Sequence, residues 1–105
     1  MDMRSGASLR KVRVRYLGII QRIVGRSEEE MEITPGAKVC DLLQILKKKY
    51  GEEMKNALED NHMLAANATI LIDGRNAETI QGLDTPLEHA QDVQIVVMVP
   101  SSFGG

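Results

Sequence analysis

Over residues 11–16 the chain alternates, with Val12, Val14 and Tyr16 on one side and Lys11, Arg13 and Arg15 on the other. That period of two predicts a strand with one buried and one solvated face. Leu17, Ile20, Ile23 and Val24 then recur at helical spacing up to Gly25, which predicts a short helical turn. A second alternation, EEEMEI, turns Met31 and Ile33 inward and Glu30 and Glu32 outward. In TPGAKVCDLLQILKKKYG, Thr34, Pro35 and Gly36 make a turn, and Val39, Leu42, Leu43, Leu46 and Tyr50 fall on one stripe of a helix that stops at Gly51. Asp41 near its start and Lys47, Lys48 and Lys49 near its end suit the helix dipole. Met54, Ala57 and Leu58 predict one further helical turn. After the polar EDNHM, ATILIDG reads as a strand entering an Asp73-Gly74 turn, followed by a short strand over residues 76–79 and a loop through Gly82, Asp84 and Pro86. Residues 93–99, VQIVVMV, are apolar at nearly every position, which predicts burial on both faces and a central place in the sheet.

The order strand, strand, helix, strand, short strand, central strand needs one long helix to cover one face of a mixed sheet, an α+β arrangement. Residues 1–10 read as a flexible arm, 11–99 as the domain, and 100–105 as a flexible tail. Because the last strand is central, the chain leaves from the middle of its most rigid element. Pro100 then removes a ladder donor and ends the strand.

Composition narrows the chemistry. The 105 residues suit one domain able to bury a core without disulfides. A single Cys40 and no apolar leader predict a reducing, cytoplasmic setting, and no apolar run is long enough for a membrane. With 13 Lys+Arg against 15 Asp+Glu, and 3% aromatic residues, neither charge nor stacking surface nominates nucleic acid. The run Glu28, Glu29, Glu30 is expected to solvate a surface, as charge runs ordinarily do. His62 and His89 have no metal-ligand spacing to each other or to Cys40. Cys40 adjoins the apolar helix stripe and reads as a structural thiol. No phosphate-binding loop, dinucleotide fingerprint or nucleophile elbow occurs.

The remaining candidate is the tail, PSSFGG. Its six residues reach about 20 Å at roughly 3.3 Å each, enough to enter another protein's active site. Gly104 and Gly105 lack the Cβ that blocks a narrow channel. The α-carboxylate of Gly105 is ionised near neutral pH and is a poor electrophile, so it needs activation before anything attacks it. Phe103, Pro100 and Val99 are candidate partner-binding residues, since exposed aromatic side chains often anchor interfaces, with the folding of Phe103 back onto the domain as the alternative.

This tail on this strand order resembles the MoaD/ThiS family of ubiquitin-like β-grasp sulfur carriers, and within it the small subunits of molybdopterin synthases. The similarity runs over residues 11–105: YLGIIQRIVGRSEEEMEI resembles the family's first strand, short helix and second strand, KVCDLLQILKKKYG its central helix, and ILIDGRNAETIQGLDTPLEHAQDVQIVVMVP its second half. The resemblance implies a β-grasp fold, a mixed sheet of four or five strands with one main helix across it, and a carrier with no catalytic site or bound cofactor of its own. A ubiquitin-activating-like adenylyltransferase would use ATP to adenylate Gly105. A persulfide sulfur donor would then displace AMP and leave a thiocarboxylate, with Gly104 keeping it on a flexible lead. The large subunit of molybdopterin synthase would receive the tail and pass the sulfur to the pterin precursor. The sequence departs from that subfamily in its tail, where family members commonly carry an aromatic residue and two prolines. Here VVMVPSSFGG has Pro100 alone, with Phe103 directly before the glycines. Sulfur delivery to thiamine, tRNA or an amino acid, and conjugation to target lysines as a protein modifier, remain as alternatives.

Overall fold

The structure is a computed structural model and describes residues 9–60 and 63–98. Strand β1 (Arg10–Gly18) is followed by a short helix α1 (Ile20–Val24), strand β2 (Glu28–Ile33), the main helix α2 (Val39–Tyr50) and a shorter helix α3 (Glu52–Leu58). Strands β3 (Glu59–Asp60) and β4 (Met63–Leu64) form a small hairpin. Strand β5 (Ala68–Ile72) turns at Asp73-Gly74 into the short β6 (Arg75–Asn76), and two 3-10 turns, Ala77–Thr79 and Gly82–Asp84, lead to β7 (Asp92–Val97). The main sheet has the order β2-β1-β7-β5-β6, with β1 and β7 parallel at its centre and the other pairs antiparallel. This five-stranded mixed sheet with α2 across it is the ubiquitin-like β-grasp expected from the sequence.

Alternation builds the core. Val12, Val14 and Tyr16 from β1, Ile70 and Ile72 from β5, and Val93, Ile95 and Val97 from β7 all face α2, where Val39, Leu42 and Leu46 meet them. The start of α2 is held by the Asp41 carboxylate, which accepts from the Lys38 backbone N–H at 2.8 Å. Its stop is Gly51, whose φ of 81° is open to glycine at little cost. The strand begins at Arg10 rather than Lys11, because the Arg10 guanidinium donates to the carbonyls of Leu87 and Ala90 and fastens the edge of the domain.

Four expectations change. Leu17 belongs to β1, not to the helical turn, and points to the open face at 39% exposure. The short strand stops at Asn76, whose side chain accepts from the Glu78 N–H and folds residues 77–79 into a 3-10 turn instead. The polar segment after α3 makes a hairpin, a feature that two-residue strands are too short to announce by period. Finally, β7 is central but buried on one face only: Val93, Ile95 and Val97 are covered, whereas Gln94 and Val96 are half-buried and Met98 beyond it is exposed. Continuous apolarity predicts two covered faces, yet among the described residues no helix lies on the second. Val99 lies outside the described residues.

Glu29 is a further correction with an energetic consequence. The alternation that sends Met31 and Ile33 inward also carries Glu29 inward, where it is 8% exposed. The hydroxyls of Tyr16 and Tyr50 donate to its Oε2 at 2.5 and 2.6 Å, and Lys49 Nζ donates to Oε1 at 2.8 Å. Burial alone raises the Glu29 carboxyl, but hydrogen bonds from Lys49, Tyr16 and Tyr50 outweigh it and hold the group below the usual carboxylate range. Burial, and then the bond to this carboxylate, raises both tyrosines, and the same carboxylate raises Lys49. The cluster ties edge strand β2 to the end of α2. Glu29→Gln removes the charge and one acceptor, and is expected to lower unfolding free energy by about 1–3 kcal/mol in urea titrations at neutral pH. A folded-state pKa below the unfolded value of about 4.3 means that this stabilisation is present above that value and lost as pH falls through the folded pKa. The wild type should therefore lose more stability on acidification than Glu29→Gln.

Candidate functional site

All five tail residues singled out from the sequence, Val99, Pro100, Phe103, Gly104 and Gly105, lie outside the described residues, as does His62. What the structure shows is the point from which the tail departs and the surface beside it. Two neighbours fix the last turn of that exit. On one side, Asn67 brackets Met98: its carbonyl accepts from the Met98 N–H at 3.0 Å, and its side-chain amide donates to the Met98 carbonyl at 2.7 Å. On the other, the Val97 carbonyl accepts from the Ile19 N–H at 2.9 Å.

Gly18 makes the second contact possible. It pairs with Val97 in the parallel β1–β7 ladder and turns the chain into α1 with φ of 85°. A Cβ added there would sit 2.1 Å from the Val97 carbonyl oxygen, so only glycine lets the two backbones approach this closely. Neither Gly18 nor Asn67 was singled out from the sequence. The glycine directly after an alternating strand was the available signal, and the amide clamp of Asn67 has none, because it depends on which loop lies beside the end of β7.

The uncovered face of the sheet is organised along the strands. At the end away from the tail, Arg15 Nε lies 3.0 Å from Asp92 Oδ1 and Arg13 Nε 3.9 Å from Glu28 Oε2, while β1 and β2 set Lys11 opposite Glu32 and Arg13 opposite Glu30. Opposite charges thus neutralise one another there. Toward the tail the charges stop, and Leu17, Val96 and Met98 come together through the pairing of Leu17 with Val96. Met98 is 58% exposed. An unbranched thioether at the root of the tail can adapt to partner surfaces of different shape.

Other candidate chemistry is not assembled. Cys40 is half-buried beside Leu43, and His89 is exposed. Among the described residues no group of three or more His, Cys, Asp or Glu side chains converges on a common point, and no helix is long and apolar enough to cross a membrane.

The family model described as the ThiS family matches residues 14–100, which include the whole sheet from Val14 and the exit of the chain. The chain belongs to the ThiS family. This ThiS-family chain is a small, non-catalytic ubiquitin-like protein of the sulfur-carrier and modifier group. Among solved structures it is similar to a Pyrococcus furiosus protein described as molybdopterin converting factor, subunit 1, with 28% identity and a TM-score of 0.65 over 85% of this chain and 98% of that one. It is also similar to small archaeal modifier protein 1 from Methanosarcina acetivorans, with 26% identity and a TM-score of 0.70 over 92% of this chain and 99% of that one. The Haloferax volcanii HVO 2177 protein shares the fold at 20% identity, with a TM-score of 0.78 over 97% of this chain and 93% of that one. No match was found among curated proteins.

Proposed function

We propose that this ThiS-family chain is a sulfur carrier whose Gly105 receives sulfur and delivers it to the molybdopterin precursor. The observation that carries the reading is the rigid exit of the chain at Met98, beside an apolar, uncovered end of the sheet, in a family of sulfur carriers and modifiers. The likeness to a protein described as a molybdopterin converting factor subunit supports the choice of acceptor.

In the proposed cycle an adenylyltransferase joins the Gly105 carboxylate to the α-phosphate of ATP and releases pyrophosphate. The resulting mixed anhydride turns an unreactive carboxylate into an acyl group with AMP as leaving group. The terminal sulfur of a persulfide donor attacks the acyl carbon and expels AMP. A thiol then cleaves the sulfur–sulfur bond of that acyl disulfide, leaving the thiocarboxylate on Gly105. Gly104 and Gly105 let the backbone pass a narrow channel, and Pro100 and Phe103 contact the channel walls. The large subunit of a molybdopterin synthase takes the charged tail. Nothing in this cycle asks the domain for an acid, base or metal; its work is to hold the root of the tail and to dock partners through Leu17, Val96 and Met98.

The docking surface gives a direct test. Met98→Glu sets a charge on the apolar end of the face without entering the core, so folding should be retained. Transfer of AMP to Gly105 should fall at least tenfold in kcat/KM, measured by pyrophosphate release. Unchanged kinetics would remove this face from the docking role. The acceptor is tested by mixing thiocarboxylated protein with a molybdopterin synthase large subunit and the pterin precursor: dithiolene product is expected.

A second reading has its own support in the archaeal modifier neighbour. As a modifier, the chain would be found joined through Gly105 to lysines of other proteins. Digestion of proteins purified with this chain separates the two readings, because branched lysine peptides ending in Gly105 arise only from conjugation.

A further inference from the structure

Beside the exit of the chain lies a groove that the carrier cycle does not use. Strand β5 pairs with β7 along its whole length, from Ala68 to Ile72, but with β6 only at Leu71 and Ile72. The outer edge of residues 68–70 therefore has no strand beside it among the described residues. Into this gap open Met63, Leu64, Ala66, Thr69 and Leu83, over a floor of buried core side chains such as Ile70, and the space is about 320 Å³. The lining mixes aliphatic side chains with the polar Thr69, Asn76 and Glu78.

The groove lies one strand away from the root of the tail. Met98 is bonded to Asn67, and Asn67 directly precedes β5. Neighbouring strands are about 4.8 Å apart, so the open edge of β5 is on the order of 10 Å from the end of β7. Phe103 follows Met98 by five residues, a reach of about 16 Å at roughly 3.3 Å per residue. It is the one phenylalanine of a chain with no tryptophan. A cavity of about 150 Å³ is known to hold a benzene ring, so this one has room for the Phe103 ring and some backbone.

We propose that in the free protein the Phe103 side chain docks into the groove between β5, β4 and the two 3-10 turns, parking Gly104 and Gly105 against the domain until a partner draws the tail out. This deepens the carrier reading by adding a resting state to its tail, and rests on that reading only for its consequence. The docked ring covers apolar surface and the outer edge of β5, and a partner that takes Phe103 into its own channel must first displace it. Exchange between the two positions would then set how often Gly105 is presented.

The test uses the full chain without partners, ATP or sulfur donor, so its failure leaves the carrier chemistry untouched. In isotope-labelled protein, nuclear Overhauser contacts are expected between the Phe103 ring and methyls of Leu64, Ala66 or Leu83, which line the groove without being buried in the core. Those methyls should move downfield in Phe103→Ala as the ring current is lost, while core methyls such as Val14 keep their shifts. Phe103→Leu, which retains an apolar side chain without a ring current, should abolish the upfield shift but keep the groove methyls protected from a soluble paramagnetic probe. Groove methyls with the same shifts and the same probe accessibility in wild type and Phe103→Ala would overturn the proposal. Ring contacts seen only between differently labelled chains would overturn it too, assigning the groove to a second copy.

Discussion

Deletion of Gly105 is expected to abolish both adenylation and sulfur loading while leaving the domain as stable as the wild type. The loss follows from the chemistry: the acyl group to be activated belongs to Gly105, and moving it back to Gly104 shortens the reach of the tail by roughly 3.3 Å. Misplacement by about 1 Å can cost a hundredfold in rate, so the deletion should fall below detection in pyrophosphate release. Stability should not move, because the described core is complete by Val97 and the exit is fixed at Met98 by Asn67. Urea titration of the two proteins should superimpose. A deletion variant that still loads sulfur would place the acceptor atom elsewhere in the chain.

Gly18→Val is expected to have the largest effect on the fold itself, lowering unfolding free energy by roughly 2–4 kcal/mol. Two penalties act together. The φ of 85° is in the left-handed region, which a β-branched residue adopts only with strain. The new Cβ would also fall 2.1 Å from the Val97 carbonyl oxygen, an atom of the central ladder that accepts from Ile19 and cannot swing aside like a side chain. Relief requires β1 and β7 to separate at the root of the tail. The midpoint of urea unfolding should drop accordingly, and amide exchange of Ile19 and Met98 should accelerate beyond that of residues at the far end of β7. Gly25→Val is the control: its added Cβ meets nothing within 4 Å, although its φ of 83° carries the same backbone strain for a β-branched residue. The difference between the two variants isolates the close approach. Equal destabilisation would reduce the role of Gly18 to its backbone angle.

Much of this architecture was legible from residue order because its signals are local. The alternation in β1 and the stripe of Val39, Leu42, Leu43 and Leu46 fix which faces meet, and Gly51 marks where α2 stops. The misreadings have one physical source: period says which way a side chain points, but not what stands there. Glu29 points inward by the same alternation as Met31, and becomes acceptable in the core only because Tyr16, Tyr50 and Lys49 come from other elements to bond it. Val96 and Met98 look like core in an apolar run, yet among the described residues no element covers that side of the sheet. The same limit hides Asn67 and Gly18, whose roles arise from contacts with β7 across the sheet. The candidate site divides in the same way. The tail is a candidate from sequence alone and lies outside the described residues, whereas the clamp at its root and the apolar end of the open face required the fold.

The central claim is that Gly105 carries sulfur. The full chain is incubated with ATP, an activating enzyme and a persulfide donor in the presence of a thiol, and its intact mass is followed by fragmentation from the C-terminus. The account predicts a mass increase equal to one oxygen replaced by sulfur, confined to the fragment containing Gly105 and absent when ATP is omitted. An unchanged mass under conditions in which the same enzyme loads another carrier, or sulfur recovered on Cys40 instead, would contradict it.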